Sequence, residues 1–276
     1  MKSKIVLLSC ILALLTSCNN NISTSVHGYK LVWSDEFNGE SLNEDNWNYM
    51  YGDGTQYGNP GWGNNELQSY RKENVSVRNG NLIITVKREQ YGGKEFTSAR
   101  LNTSGKVTAL YGRIEARIAL PSGKGMWPAF WMLPENHKYG NWPSSGEIDI
   151  MEARGREPSM TSGALHYGPV TGSSVYQTTT NVFRDGSSIT DYHIYAVEWD
   201  EDEIRWYADE NNFLTVRANR WYTMHENGLD SDTAPFDVEF HILLNCAVGG
   251  NFDGGIRPDD NFQSAEMKVD YVRIYQ

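Results

Sequence analysis

Three acidic residues lie close together in the segment 142–153, which has the sequence Trp-Pro-Ser-Ser-Gly-Glu-Ile-Asp-Ile-Met-Glu-Ala. In a regular β-strand alternate residues share a face, so Glu147 and Asp149 lie on one face and the two isoleucines on the other. Strict alternation would bury Glu152 with the isoleucines, and an isolated buried carboxylate is costly. We therefore predict a β-bulge at Ile150–Met151, which returns Glu152 to the face of the other two acids.

Carboxyl groups on one face suit glycoside hydrolysis, in which one group attacks the sugar and the other transfers a proton. Across a bulge, Glu147 and Glu152 are four strand steps apart, roughly 13 Å between Cα atoms at ~3.3 Å per step. Side chains that lean together approach the ~5–5.5 Å separation of a retaining enzyme, and the spacing leaves an inverting enzyme open. The charge of Asp149 between them would keep one neighbour protonated, as a proton donor requires. An acidic surface and a calcium site are the other interpretations of this spacing.

Short segments of alternating polarity, bounded by Gly, Asn, Asp and Pro, recur along the chain and predict an all-β sandwich or barrel. The clearest strand is 112–121, and Asn79–Gly80 predicts a turn before a strand at 82–86. An acidic loop at 200–203 joins two apolar runs into a predicted hairpin, and 267–275 closes the chain as a strand. No repeat or linker interrupts this pattern, so the strands predict one domain that positions the acidic segment.

The first residues of the chain predict export. Two lysines precede an apolar run that is too short for a membrane-spanning helix of about 20 residues, which is typical of a signal peptide. The run ends in Leu15–Cys18, which resembles the bacterial lipoprotein box; a plain signal peptide with a chance cysteine is the alternative. The protein would then be an exported bacterial lipoprotein of the outer membrane, cell surface or periplasm. We predict a lipoprotein signal peptide at 1–17, a lipid anchor at Cys18, a flexible tether at 18–27 and a catalytic domain at 28–276.

Composition narrows the possible partners. The 276 residues carry a formal charge of −11, and removal of the two positive charges of the signal segment leaves −13. Such a surface repels nucleic acid, so no nucleic-acid partner is expected, and no feature indicates a partner protein, so we expect a monomer. Nine tryptophans and sixteen tyrosines suit both an aromatic core and a groove for the flat faces of sugars. Cys246 has no predicted disulfide partner and is expected to be a buried apolar residue.

The acidic segment Glu147–Glu152 is similar to the signature of glycoside hydrolase family 16 in its bulged form. Another segment, Gly61–Tyr70, looks like the groove loop of the laminarinase branch of that family. Together with five further segments, these resemblances follow the expected order and span nearly the whole chain after the signal segment. The five segments are Trp33–Gly39, Ser98–Thr103, Tyr111–Arg117, Trp127–Leu133 and Leu244–Gly250.

The resemblance implies a concanavalin A-like β-jelly-roll sandwich of two antiparallel sheets, with the catalytic strand in the concave sheet. It implies Glu147 as the nucleophile, Glu152 as the acid/base and Asp149 as the residue that tunes them, with no cofactor for catalysis. The implied activity is retaining endo-hydrolysis of a β-1,3-containing glucan, either laminarin or mixed-linkage β-1,3/1,4-glucan. Hydrolases of agar, porphyran or carrageenan, a transglycosylase and a non-catalytic surface glycan-binding lipoprotein are the alternatives.

Five residues are predicted to line a groove for the polysaccharide. Trp131 and Trp142 flank the catalytic strand in sequence and are candidates for stacking on sugars; a place in the core is the alternative for each. Asn64, Arg100 and Asn245 match family positions that hydrogen-bond sugar hydroxyls. For these three, a turn residue, a surface cation and a buried amide are the structural alternatives.

Three further expectations concern residues around this groove. His166 follows the catalytic strand and is predicted on the neighbouring strand, either near the acid/base as a substrate-binding residue or as a structural histidine. The resemblance also implies a structural calcium ion on the convex face, with Glu36, Gly80 and Asp270 as candidate ligands. Laminarinase-like chains often carry Trp where this chain has Phe252, so the stacking surface would be smaller if that ring lines the groove.

Overall fold

The computed structural model describes residues 23–169, 174–225, 228–229 and 232–276. In these ranges the backbone is mostly β-strand, with short 3₁₀ helices at Thr55–Tyr57, Pro60–Gly63, Lys72–Asn74, Ala218–Arg220 and Asn251–Asp253. The strands are β1 (Ser25–Val26), β2 (Tyr29–Asp35), β3 (Asn48–Met50), β4 (Gln68–Tyr70), β5 (Val75–Arg78), β6 (Asn81–Tyr91), β7 (Lys94–Ser98), β8 (Arg100–Asn102), β9 (Thr108–Ala109), β10 (Gly112–Ala119), β11 (Met126–Pro134), β12 (Glu147–Glu152), β13 (Met160–Pro169), β14 (Val175–Val182), β15 (His193–Trp199), β16 (Glu203–Ala208), β17 (Asn211–Arg217), β18 (Thr223–His225), β19 (Gly228–Leu229), β20 (Phe240–Val248) and β21 (Ser264–Tyr275).

The strands form two sheets. The first sheet has the order β17-β16-β15-β10-β21-β6-β7-β4, with β2 also on β21, β1 on β2 and β5 on β6. The second sheet carries the acidic strand near its middle and has the order β19-β18-β13-β12-β11-β20-β8-β3, with β14 on β13 and β9 on β20. The described strand pairs are antiparallel except β4 with β7 and β13 with β18. The all-β jelly-roll sandwich is therefore confirmed, with two parallel pairs in addition to the antiparallel ones.

Apolar side chains of both sheets meet in one core between them. Ile148, Ile150 and Met151 of β12 are fully buried in this core, as are Ile114 and Ile118 of β10 in the opposite sheet. Alternation along each strand explains this arrangement, because every second residue points to the same side of its sheet. The acidic residues of β12 consequently lie on the other face of the second sheet, away from the core.

Three local predictions from sequence are confirmed. Asn79 and Gly80 have positive φ angles of 54° and 70° and join β5 to β6 through a two-residue turn in which Arg78 pairs with Asn81. Both central residues of such a hairpin turn need positive φ, which Asn and Gly tolerate. The predicted acidic hairpin is formed by β15 and β16, which pair in antiparallel register. Cys246 is a free, buried thiol, as expected.

The predicted signal peptide and the lipid-anchor cysteine lie outside the described residues. The predicted tether at 18–27 lies partly within them, and there Ser25–Val26 pairs with Tyr29 and Lys30 as an edge strand. The imidazole of His27 contacts the carboxylate of Glu198 in the first sheet. The last residues of that segment therefore belong to the sandwich. Within the described ranges, no helix has the length and apolar character needed to cross a membrane.

Candidate active site

The acidic strand carries the predicted bulge. Against β11, Asp149 lies opposite Trp131. Two residues further along β12, Met151 lies opposite Phe130, which is a single step along β11. Ile150 is therefore the extra residue, and the register against β13 shifts across the same interval. The bulge returns the second glutamate to the face of the first two acids, as the sequence predicted.

A tryptophan of the opposite sheet supports the strand at this irregularity. Trp206 is fully buried on β16, and its indole N–H donates to the backbone carbonyl of Asp149 at 2.8 Å. A bulge interrupts the hydrogen-bond ladder and leaves backbone groups in need of other partners. Core packing and this hydrogen bond therefore hold the acidic strand in its bulged form.

Each of the two glutamates accepts a hydrogen bond from a different tryptophan. The indole N–H of Trp142 donates to Oε2 of Glu147 at 2.8 Å. The indole N–H of Trp127 donates to Oε1 of Glu152 at 2.9 Å. Asp149 lies between them in the strand and is 4% exposed. The two glutamates thus occupy separate environments on one face, as two different chemical roles require.

Burial dominates the ionisation of Glu152. Loss of water around its carboxyl group, with a smaller contribution from the charge of Glu147, raises its pKa to about 7, against the opposing hydrogen bond from Trp127. An ordinary glutamate has a pKa of 4.5. Glu152 therefore holds a proton near neutral pH, which suits a general acid that later acts as a base.

Glu147 and Asp149 behave as a coupled pair. Burial raises the pKa of both groups, and the charge of Asp149 further raises that of Glu147. The charge of His166 opposes this rise at both groups. Catalysis by a nucleophilic Glu147 uses its ionised form.

A histidine on the neighbouring strand supplies the nearby positive charge. His166 lies opposite Glu147 in the pairing of β12 with β13, and its Nε2 is 3.2 Å from Oδ2 of Asp149. Although burial lowers the pKa of His166, its hydrogen bond to Asp149 and the surrounding negative charges raise it to about 9. His166 is predicted near the acid/base Glu152; the structure instead places it opposite Glu147, and its direct partner is Asp149.

The same three side chains could in principle hold a metal ion. Donor atoms of Glu147, Asp149 and His166 lie within 4.8 Å of one another, and no other group of three His, Cys, Asp or Glu residues in the described ranges does so. A protonated imidazole has no lone pair for a metal, however, and His166 holds its proton at neutral pH. A metal ion at these donors would therefore have to displace the proton of His166.

Three of the predicted groove residues form one cluster. The guanidinium of Arg100 lies between the rings of Trp62 and Trp131, 4.4 and 4.7 Å from their centroids. The indole N–H of Trp131 donates to Oδ1 of Asn245 at 2.8 Å. Arg100 and Asn245 are direct neighbours on β8 and β20. Trp131 is half-buried, and its ring is packed on one side by a cation.

A buried acid beneath this cluster was not predicted from the sequence. Glu66 is 5% exposed, and its Oε2 accepts hydrogen bonds from Gln68 at 2.6 Å and from Tyr70 at 3.1 Å. Burial raises the pKa of Glu66, and its partners, including the side chain of Asn64, oppose that shift. The predicted groove residue Asn64 therefore acts on Glu66 within the Gly61–Tyr70 loop. In the sequence, the resemblance of that loop was the only available signal for Glu66.

The other side of the acids is lined by exposed aromatic rings. Trp142 is 49% exposed, and its ring lies 6.1 Å from that of His166. His166 lies in turn 5.5 Å from Tyr176, which is 60% exposed and was not predicted. Trp142 therefore has an exposed ring beside Glu147, whereas Trp131 is more enclosed, and a stacking role for either stays a prediction.

The predicted calcium ligands are engaged by arginines in the structure. Both carboxylate oxygens of Glu36 accept hydrogen bonds from Arg273, at 2.9 and 2.8 Å. Asp270 pairs with Arg117 at 2.8 Å, and Gly80 lies in the turn described above. These carboxylates do not fit a calcium site as they are paired here, since the ion would have to displace the arginines. Calcium stays a prediction.

The chain is similar to proteins of known type. The profile of the family Glycosyl hydrolases family 16 matches residues 63–272. Glucan endo-1,3-beta-glucosidase A1 of Niallia circulans is 42% identical over 91% of this chain, which spans 38% of that protein's length. Beta-glucanase of Rhodothermus marinus is 40% identical, and the matched region includes 96% of this chain and 93% of that protein. The laminarinase catalytic domain of Thermotoga maritima MSB8 superimposes with a TM-score of 0.80 at 39% identity, over 90% of this chain and 98% of that domain.

Proposed function

We propose that this chain, which belongs to glycosyl hydrolase family 16, is a retaining endo-β-1,3-glucanase. The observation that carries the proposal is the bulged strand β12, which presents Glu147, Asp149 and Glu152 on one face. The glutamates differ in their indole partners, and the charge of Asp149 raises the pKa of Glu147. A nucleophile and a proton donor need this kind of asymmetry.

In the first step a carboxylate oxygen of Glu147 attacks the anomeric carbon of the sugar. The bond from that carbon to the leaving oxygen breaks, and the proton of Glu152 moves to this oxygen. The product is an ester between Glu147 and the sugar. Attack requires Glu147 as a carboxylate, and the charge of His166, whose Nε2 lies 3.2 Å from Asp149, lowers the pKa of Glu147 and so favours that form.

In the second step water replaces the enzyme at the same carbon. Glu152, now a carboxylate, takes a proton from the water as it attacks, and the ester bond to Glu147 breaks. Two successive inversions leave the configuration at the anomeric carbon unchanged. A second sugar could replace water here, in which case the same intermediate would give transglycosylation.

Several features support a neutral β-1,3-linked glucan as substrate. The names of the Niallia and Rhodothermus relatives refer to glucan hydrolysis, and the Thermotoga structure is that of a laminarinase. The exposed ring of Trp142 beside Glu147 suits the apolar face of a glucose unit. The acidic composition of the chain does not favour sulfated galactans.

The test is hydrolysis of laminarin and of barley mixed-linkage glucan by the purified protein and by Glu147→Gln. We expect short oligosaccharides from wild type only, and the relative rates on the two polymers give the linkage preference. Agarose, porphyran and carrageenan serve as parallel substrates. Binding of laminarin without any products would overturn the proposal in favour of a glycan-binding protein, and products from a galactan alone would favour that activity.

We further propose that the protein is an exported lipoprotein anchored through Cys18. Support comes from the lysines and the short apolar run before the lipobox-like Leu15–Cys18. A bacterial host fed an alkyne fatty acid should label the wild-type protein and not Cys18→Ser. Equal labelling of the two would rule out this anchor.

A further inference from the structure

The indole of Trp127 is the direct protein partner of the acid/base. Its N–H donates to Oε1 of Glu152 at 2.9 Å, and the side chain is 9% exposed. A donor of this kind favours the ionised carboxyl, so it opposes the effect of burial on the pKa of Glu152. The position of this indole therefore helps to decide the pH range over which Glu152 holds its proton.

The indole is held by the turn that follows β20. The ring of Phe252 stacks on that of Trp127, with centroids 5.0 Å apart and planes at 20°. Gly250 packs close to the same indole, since a Cβ on Gly250 would lie 2.9 Å from Cζ3 of Trp127. Gly250 also has a φ of 81°, a conformation that favours glycine. Backbone and aromatic ring together leave Trp127 little freedom.

Phe252 is held in turn by Arg154. The guanidinium of Arg154 lies 4.2 Å from the centroid of the Phe252 ring, and its Nε donates to the backbone carbonyl of Phe252 at 2.8 Å. Arg154 follows the second glutamate of β12 by two residues. The stack of Arg154, Phe252 and Trp127 thus connects the residue just after the catalytic strand to the carboxyl group of Glu152, which accepts the indole N–H.

We propose that this stack is a positioning device for the acid/base, in which Phe252 and Arg154 fix the indole of Trp127 and Trp127 fixes the proton affinity of Glu152. The proposal rests on the proposed function, since it assigns a role in proton transfer. It differs from the expectation that Phe252 is part of a sugar-stacking surface, because a residue that only binds sugar changes KM and leaves the ionisation of Glu152 unaltered.

The experiment compares wild type with Trp127→Phe, Phe252→Leu and Phe252→Trp in two measurements. The first is the pH profile of kcat/KM on laminarin, and the second is the titration of Glu152 by NMR in protein labelled with ¹³C at glutamate carboxyls. Trp127→Phe removes the donor, so the basic limb and the NMR titration of Glu152 should both move up by about one pH unit.

The two Phe252 variants separate positioning from sugar binding. Phe252→Leu should move the titration in the same direction by about half as much, because the donor remains but is less well held. Phe252→Trp restores a stacking ring and should return the titration to the wild-type position. Phe262→Leu, a matched substitution of a half-buried ring that packs on Phe96, should cause no shift.

An unchanged titration of Glu152 in both Trp127→Phe and Phe252→Leu would overturn the proposal. So would a rise in KM for Phe252→Leu with the titration unaltered, which would make Phe252 a sugar-binding residue. The NMR measurement needs no substrate. Failure of wild type to hydrolyse laminarin would therefore count against the proposed function and leave the titration to decide this proposal.

Discussion

Two groups of carboxylates, one around Glu198 in the first sheet and one on β12, have different surroundings. In the first sheet, Glu198 is 4% exposed and accepts hydrogen bonds from Arg113 at 3.1 Å, Arg205 at 3.3 Å and Tyr207 at 3.0 Å. His27 contacts the same carboxylate. Burial alone would raise the pKa of Glu198, but these partners lower it below the ordinary value.

On β12, Asp149 is buried and the two glutamates are half-buried, and none of the three has comparable partners. Asp149 is also 4% exposed, yet in the described part of the chain no arginine or lysine lies within ion-pair distance of any of the three acids. His166 is the nearby cation, and each glutamate has a single indole donor. Burial therefore prevails, and the pKa values of all three are raised.

The difference shows how one fold treats charge for two purposes. Where an acid only has to be stable, arginines neutralise it, as they do around Glu198. Where acids must exchange protons, the fold supplies little positive charge, so their pKa values are raised toward the pH at which they exchange protons. Substitutions in the two regions should consequently have opposite effects on activity and on stability.

The largest effect is expected at the nucleophile. Glu147→Gln keeps the size of the side chain but removes the attacking oxygen anion, so kcat on laminarin should fall by at least about 10⁴-fold. Glu198→Gln, the matched change in the first sheet, should leave kcat within about threefold of wild type because it does not touch the site. A Glu147→Gln protein with more than a few per cent of wild-type kcat would show that Glu147 is not the nucleophile, and the functional difference between β12 and Glu198 would be lost.

The second effect is a loss of stability, and it is expected at Glu198 in the first sheet. Glu198→Gln leaves Arg113 and Arg205 buried or half-buried without their shared carboxylate, which should lower the free energy of unfolding by about 3 kcal/mol. Urea denaturation at neutral pH, followed by tryptophan fluorescence, measures this loss. Equal stability of the variant and wild type would mean that the paired cluster does not stabilise the fold.

The third effect is a stability gain at the acid/base. Because the pKa of Glu152 is about 7 in the folded protein and 4.5 ordinarily, the folded state binds the proton more tightly. The stabilisation of the folded state by this tighter proton binding is complete below pH 4.5 and is lost as pH rises to about 7. Glu152→Gln avoids this loss, so above pH 7 the variant should be more stable than wild type by up to about 3 kcal/mol.

Denaturation of Glu152→Gln and wild type at a series of pH values between 4 and 8 tests this sign. The stability difference should grow in favour of the variant across that interval. A variant that becomes less stable than wild type as pH rises would show that Glu152 is stabilised as a carboxylate, like Glu198, and the contrast between the two regions would disappear.

The smallest effect is expected at His166, the cation that pairs with Asp149. The charge of His166 lowers the pKa of Glu147, so His166→Asn should raise that of the coupled pair with Asp149. The acidic limb of kcat/KM should then move up by about one pH unit. A change in KM with the limb in its wild-type position would instead favour the substrate-binding role predicted from sequence.

The sequence was sufficient to predict the face of β12, since polarity permits only one arrangement of its acids. Three carboxyl groups and two isoleucines can be separated only by a bulge at Ile150, and the observed register confirms it. Strand alternation was also predictable in β10. The burial of its polar face was not, because Arg113 and Glu115 become buried only through partners that β15 and β21 bring from elsewhere in the chain.

Contacts between distant segments account for the rest of what the sequence did not predict. Trp127 is part of a recognised segment, but its bond to Glu152 joins residues 25 apart and depends on the register of β11 with β12. Tyr176 lies beside His166 only because β14 pairs with β13. Glu66 is a buried acid whose partners follow it closely, but a hydrogen-bonded loop acid has no distinctive sequence pattern.

The central claim is that Glu147, on a strand whose acids have few positively charged partners, forms a covalent bond with the sugar during catalysis. The direct measurement is incubation with a 2-deoxy-2-fluoro-β-laminaribiosyl fluoride, followed by intact mass spectrometry and peptide mapping. We predict a single added laminaribiosyl group on Glu147 in wild type and none in Glu147→Gln. An adduct on another residue, or no adduct together with products of inverted anomeric configuration from laminarin, would contradict the account.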